Sequence, residues 1–311
     1  VISCGVQYSS KFPLWSFWQT FRRSVIVKKI AEGLNDWSMK LLRSEVCLHG
    51  SMVWPANDTI IGKSLELYGE FAEGENRVMA RYIQPGNVVV DIGANLGTTV
   101  LPASKVVGKG GMVLAFEPQP LMAQCLHTTL SLNECFNVRV FDNALGDVEC
   151  WGRIAAAGID NSTNHGSHAL GLDGLQVKIL RLDDIELPAC HLIKVDVEGY
   201  EWRVLQGAFQ QALKHRPVIY LEAKRIPSTA SCIQWLLSNG WRCYWHFALF
   251  YRNNNFRKNA HNVFGPVGDM NVLAIPSSRD QPEDMPEIID PNEDWKNTYG
   301  LFYQNSGKPI P

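Results

Sequence analysis

Val88-Val89-Val90-Asp91-Ile92-Gly93-Ala94-Asn95-Leu96-Gly97 is a run of β-branched residues that reaches an acid and then passes through two glycines into a helical pattern. Such a run predicts a buried strand, a tight turn whose backbone a ligand can approach, and a helix start facing that ligand. A second strand, Met112 to Phe116, ends in Glu117, an acid placed to hold the two hydroxyls of a ribose. The two strand ends together point to a cofactor built on adenosine.

The alternation continues on both sides. Helices are expected over Phe71 to Gln84, Gly97 to Val107, Gln119 to Leu132, Tyr200 to His215 and Ser228 to Asn239. Pro102 predicts a lost hydrogen bond and a kink in the second of these, and Asn133 a C-cap on the third. Further strands are expected over Asn137 to Asn143, Val177 to Leu182, His191 to Val197, Val218 to Glu222, Trp241 to Tyr251 and Met270 to Ile275. Strands alternating with helices predict a mainly parallel sheet covered on both faces, with ligands beyond the carboxyl ends of its strands. Asp91, Glu117, Asn143, Asp196 and Glu222 all fall at that rim.

The 311 residues divide into a basic helical lead-in over 1–60, an α/β domain over 61–276 and an acidic, Pro-rich tail over 277–311. A hydrophobic content of 46% excludes wholesale disorder, and a formal charge of −2 gives no reason to expect nucleic-acid binding. The eight cysteines form no C-x-x-C pair and several sit in apolar runs, so they are read as reduced thiols in a reducing, cytoplasmic compartment. No run is apolar for long enough to span a bilayer. Leu14 to Ile30, with Trp15, Phe17, Trp18 and Phe21 ahead of Arg22, Arg23, Lys28 and Lys29, reads as a packed helix, with a membrane-surface contact as the alternative.

The turn itself narrows the cofactor. A dinucleotide fingerprint has three glycines and seats a pyrophosphate on the helix start. Here there are two, preceded by Asp91, and an anion there suits a cationic ligand better than a pyrophosphate.

Several segments then occur in a fixed order: Ile61-Gly62-Lys63-Ser64-Leu65, Tyr68-Gly69-Glu70, Pro85 to Gly97, Ala115-Phe116-Glu117-Pro118, Asn143-Ala144-Leu145-Gly146-Asp147, Leu182-Asp183-Asp184, Leu192 to Glu201 and Asn271 to Pro276. This ordered set resembles the FkbM family of class I S-adenosylmethionine-dependent methyltransferases, over about residues 52–276. The resemblance implies a doubly wound, Rossmann-like, mainly parallel sheet of seven strands with the last antiparallel. It implies S-adenosylmethionine as cofactor. Asp91, Gly93, Ala94, Asn95 and Gly97 match the family's cofactor loop, Glu117 its ribose-binding acid, and Asn143 and Ala144 the segment beside the adenine. Glu70 matches an acid close to the cofactor, and Asp196 falls where a residue near the transferable methyl group is often placed.

The base that would take a proton from an acceptor is left open among Asp196, Glu198, His165 and His168. Asp196 and Glu198 share a strand face, and the two histidines lie in a polar loop after a strand expected to bind cofactor. Asp196 with Glu198 or Glu222 could also hold a divalent cation, but no metal ligands are assigned. Glu201 is read as a helix-start acid, Asp183-Asp184 as the cap of a short turn and His246 as a packed residue. The activity expected is O-methylation of a small polar acceptor such as a sugar or secondary metabolite. The alternatives are a nicotinamide-dependent oxidoreductase on the same kind of sheet and a non-catalytic binding or scaffold protein.

Overall fold

The computed structural model describes residues 41–155, 170–171, 173–223, 226–296 and 298. The packing set out below lies within the unit Ser44–Pro311. A ribbon of β1 (Leu42–Cys47) and β2 (Gly50–Pro55) leads to α1 (Ile61–Tyr68) and α2 (Glu73–Ala80). The first half of the domain runs β3 (Val88–Ile92), α3 (Val100–Val107), β4 (Met112–Phe116), α4 (Pro120–Leu132) and β5 (Val138–Phe141). An inserted group follows: β6 (Ala144–Leu145), β7 (Cys150–Ile154), β8 (Leu170–Gly171) and β9 (Leu175–Leu180). The second half is β10 (Leu192–Val195), α5 (Glu201–Gln206), α6 (Phe209–His215), β11 (Val218–Glu222), α7 (Ile226–Ser238), β12 (Trp241–Leu249), β13 (Gly268–Pro276) and β14 (Glu287–Ile288).

The central sheet has the order β14-β12-β13-β11-β10-β3-β4-β5. The pairs from β5 through β11 are parallel, while β13 runs antiparallel to both β11 and β12. This is the expected seven-stranded arrangement with its last long strand reversed. The tail adds an eighth, β14, antiparallel to β12.

Strand parity divides the core. Val88, Val90, Ile92, Ile193, Val195, Ile219 and Leu221 face one side, where Val204, Leu205, Ala212, Ile233 and Leu236 of α5, α6 and α7 cover them. Val89, Val113, Ala115, Leu192, Val218 and Leu273 face the other, under Val78 and Met79 of α2, Val100, Ala103 and Val107 of α3 and Leu126 of α4. Both faces lose their apolar surface to water-free packing, the main favourable term in such a fold. Their near-continuous Val/Ile/Leu runs are what made the strands readable. A third cluster seats the ribbon through Met52, Val53 and Trp54 against Leu96, Leu101 and Cys125. There the Asn133 side-chain amide donates to both Thr129 O and Ser51 O at 2.7 Å, so the C-cap residue also ties down the ribbon.

Three expectations change. The strand near Val177 belongs to a separate four-stranded sheet, β6-β9-β7-β8, not to the central one. The helix expected over Tyr200 to His215 is two helices broken at Gly207, where a Cβ would lie 1.9 Å from Gly146 O. The hydrogen bond that Pro102 was expected to remove is missing: the Leu101 N–H donates to Gly97 O and the Ala103 N–H to Thr99 O on either side of it. The carbonyl it leaves unused, Thr98 O, accepts the Asn76 amide at 3.1 Å. Finally, the ribbon and β14 carry ordered structure beyond 61–276 at both ends.

Among the described residues no helix is long and apolar enough to cross a membrane. Leu14 to Ile30 lies outside them. Seven described cysteines are free thiols, five of them buried.

Candidate functional site

The carboxyl ends of β3, β4, β10 and β11 and the segment after β5 open on one cavity of about 860 Å³. It is lined at one side by Phe116, Glu117, Pro118, Gln119, Asn143, Ala144 and Leu145. Gly93, Asn95, Asp196, Glu198 and Tyr200 lie in the middle, and Glu222, Asp269, Phe71 and Phe250 lie toward the β13–β12 side.

The turn after β3 has the conformation its glycines predicted. Gly93 sits at φ +85°, and a Cβ there would lie 1.8 Å from Asp196 O, so no other residue fits without moving β10's end. The N–H groups of Gly93 and Ala94 both donate to Phe116 O at 3.0 Å, pinning the turn to β4. Gly97, at φ +97°, allows the close approach of Leu126. It packs the turn and does not line the cavity.

Glu117 is buried and held from both sides. Its Oε2 accepts the Asn95 N–H and its Oε1 the Gln119 N–H, each at 2.8 Å. Burial lifts its carboxyl to about 7 against the pull of those two N–H groups. Each oxygen keeps a second acceptor position for a hydroxyl in the cavity.

At the same sheet edge the α2-facing side turns polar. Asp91 is in register with Lys194, Lys194 with Tyr220, Glu222 with Asn271, and Asn271 with His246. Glu75 of α2 covers this row and accepts the Asn271 amide at 3.1 Å. Burial raises Glu75 to about 8 and Asp91 to about 6, with Lys194 opposing both rises. Burial works against the Lys194 ammonium, but Asp196, Asp91 and Glu75 outweigh it and hold the amine above its ordinary range. Burial drives His246 down to about 4, and its Nδ1 pairs with the Tyr220 hydroxyl at 2.7 Å. His246 is thus packed, as expected. A smaller cavity of about 380 Å³, lined by Glu75, Lys194, Asp196, Asn76 and Thr98, shares Gly93, Asn95 and Asp196 with the large one.

Asp91 itself lies behind the cavity wall. Both of its oxygens are buried without a hydrogen bond. A buried, orphaned carboxylate at a glycine-turn strand end calls for a donor or a positive charge, and Lys194 on the next strand supplies part of that field.

Asp196, Glu198 and Glu222 bring carboxylate oxygens within 4.8 Å of one another. Lys194 Nζ lies 2.9 Å from Asp196 Oδ2. Glu198 stands at φ +54°, a left-handed conformation that costs a non-glycine residue about 1–2 kcal/mol and is found where the surroundings impose it. Such a trio can take protons from hydroxyl groups or hold a divalent cation.

Glu70 is not brought into this site. Arg252 binds its Oε1 at 2.7 Å and the Phe256 N–H its Oε2 at 2.9 Å, which spends the carboxylate on fastening the β12–β13 connection. His165 and His168 lie outside the described residues. Asp183, read as the cap of its own short turn, caps α6 instead, accepting the Gln211 N–H 28 positions on at 3.0 Å. Sequence reasoning missed Glu75, Lys194 as a site residue, and the Phe71–Phe250 ring pair, whose centroids lie 5.0 Å apart. Lys194 carried one signal, a charge inside an otherwise apolar strand. Phe71 and Phe250 are 179 positions apart in sequence and carried none.

Residues 91–243 match the family model described as the Methyltransferase FkbM domain. Among solved structures, the chain is similar to the FkbM methyltransferase from Methylobacillus flagellatus KT (18% identity, TM-score 0.42), the match covering 64% of this chain and half of that one. It is similar also to a SAM-dependent O-methyltransferase from Thermotoga maritima (13%, TM-score 0.44, 77% and 79% covered). A third is TYW2 from M. jannaschii, solved in complex with AdoMet (14%, TM-score 0.41, 76% and 85% covered). No curated protein matches.

Proposed function

Because residues 91–243 match the Methyltransferase FkbM domain model, we propose that this chain moves a methyl group from S-adenosylmethionine to a hydroxyl of a small polar acceptor, such as a sugar or secondary metabolite. The observation that carries this is the single cavity holding Glu117 at one side and Asp196, Glu198 and Glu222 further along the same sheet edge. The donor set fits the cofactor. Glu117 offers two acceptor positions for ribose hydroxyls, Phe116, Pro118 and Leu145 an apolar slot for adenine with Asn143 and Ala144 beside it, and the Gly93-Ala94-Asn95 turn a close backbone approach. Orphaned Asp91 supplies negative potential behind that turn.

When bound, S-adenosylmethionine supplies a methyl group on a positively charged sulfur. The protein's part is to align the acceptor oxygen with that methyl and to take the oxygen's proton. Alignment can contribute roughly 7–11 kcal/mol in favourable cases, and a positioned base about 10²–10⁴-fold. Asp196 and Glu198 are the described candidates for the base.

The lining favours a hydroxyl. Five carboxylates, Glu117, Asp196, Glu198, Glu222 and Asp269, face the large cavity, with no Lys, Arg or His among its described lining residues. Acids in such number hold an amine protonated, with its lone pair occupied, whereas a neutral hydroxyl donates to them and gains nucleophilic character. The same charge disfavours the pyrophosphate of a nicotinamide dinucleotide and the phosphates of a nucleic acid. Phe71 and Phe250 offer an apolar wall for one face of an acceptor ring. The free thiols support a reducing, cytoplasmic setting.

The test is incubation of the protein with methyl-labelled S-adenosylmethionine and a polar metabolite extract. Label in a neutral hydroxylated product is expected. Label found only in amines or RNA, or in nothing across broad extracts, overturns the proposal.

A further inference from the structure

Glu201 opens α5 and is buried beside the site, yet it faces away from the cavity's lining. Its Oε1 accepts the Gly199 N–H at 2.7 Å. Its Oε2 accepts the Ser228 hydroxyl at 3.3 Å, and the same Ser228 oxygen accepts the Trp202 N–H at 3.2 Å. One carboxylate therefore joins the turn after β10 to the first turn of α7.

That turn is unusual. Glu198 at φ +54° and Gly199 at φ +98° are two successive left-handed residues. They reverse the chain between β10 and α5 and put Glu198 into the cavity, where its carboxylate sits close to those of Asp196 and Glu222. Mutual repulsion of three carboxylates and the left-handed backbone both favour a different turn. A conformation opposed in two ways persists only if something outside it holds it. The Gly199 N–H is a group at which such a hold acts, and Glu201 accepts it.

We propose that Glu201, anchored by Ser228, is a positioning residue that locks the Glu198–Gly199 turn and so places the Glu198 carboxylate in the cleft. This rests on reading that cleft as the methyl-transfer site. A charge-assisted hydrogen bond from a backbone N–H to a buried carboxylate is short and strong enough to fix one turn geometry. The role differs from that of an ordinary helix-start acid, which would stabilise α5 without affecting the chemistry next to it.

The test compares wild type with Glu201→Ala, Glu201→Gln and Ser228→Ala in the full chain. Three quantities are read: hydrogen–deuterium exchange of the Gly199 amide, affinity for S-adenosylhomocysteine by calorimetry, and transfer of labelled methyl into a polar metabolite extract. Glu201→Ala is expected to lose Gly199 protection and at least tenfold in transfer, with cofactor-product affinity within twofold of wild type. Glu201→Gln keeps an acceptor oxygen for Gly199 and is expected to restore most of both. Ser228→Ala, the milder change should Glu201→Ala fail to fold, is expected to lower transfer two- to fivefold. Melting temperatures that fall while Gly199 protection and transfer stay at wild-type levels would overturn the proposal, as would an equal loss of cofactor-product affinity. Absence of S-adenosylhomocysteine binding and of transfer in the wild type would instead overturn the methyl-transfer reading beneath it.

Discussion

Lys194 Nζ stands 2.9 Å from Asp196 Oδ2 in the middle of the sheet edge, the Lys194 side chain almost wholly buried and the Asp196 side chain about a third exposed. On the next strand Lys194 is the register partner of Asp91, and Glu75 covers it from α2. One buried cation therefore faces three acids, only one of which pairs with it directly.

Replacing that cation tests its weight. Breaking a buried pair typically costs about 3–5 kcal/mol, and the partial exposure of Asp196 places this one near the lower end. Lys194→Met is expected to lower unfolding stability by about 3 kcal/mol in urea titration. An unchanged midpoint would mean the acids do not need the lysine.

The buried acids give the apo protein a distinct pH profile. Glu75, Asp91 and Glu117 are lifted by burial from ordinary carboxyl values to about 8, 6 and 7. Above pH 4.5 the unfolded chain has released these protons while the folded one keeps them, so the folded state binds more protons and stability falls as pH rises. The contribution is complete below about pH 4 and lost by about pH 8. Urea midpoints are expected to be higher at pH 5 than at pH 8. Glu75→Gln, which cannot ionise, should flatten the profile by at least about 1.4 kcal/mol, the equivalent of one pKa unit. A midpoint that climbs from pH 5 to pH 8 would reverse the sign and refute it.

Gly93 admits no side chain. Its φ of +85° and the 1.8 Å approach of a hypothetical Cβ to Asp196 O act on the same residue. Gly93→Ala is expected to destabilise the fold by more than the ~1 kcal/mol of a left-handed alanine alone, and to weaken S-adenosylhomocysteine binding at least tenfold. Calorimetry and thermal melts check both. Wild-type behaviour in each would show that the turn can relax.

Much of this was legible in the chain. Strands β3, β4, β10 and β11 are short runs of β-branched and apolar residues, buried on both faces, and such runs announce themselves. Their polar ends, Asp91, Glu117, Asp196 and Glu222, mark the carboxyl rim in the sequence itself. What stayed hidden depends on partners far away in sequence. Glu70 reads as a cofactor acid until Arg252, 182 positions on, is seen to bind it. The helix expected over Tyr200 to His215 breaks at Gly207 because Gly146 O, 61 positions before it, lies against that glycine. The Lys194–Asp196 pair was foreseeable from spacing alone, but its burial under Glu75 was not.

The central claim is that the cavity along this sheet edge binds S-adenosylmethionine through Glu117. Calorimetric titration of the full chain at pH 8, where Glu117 is ionised, tests it most directly. The account predicts one-to-one binding of S-adenosylmethionine, no binding of NAD, weaker binding at pH 6, and a loss of about 100-fold in Glu117→Ala. That loss follows from removing two hydrogen bonds to a charged group at about 1.5–3 kcal/mol each, even with partial compensation. Binding of NAD in preference, or S-adenosylmethionine affinity indifferent to Glu117→Ala, would contradict it.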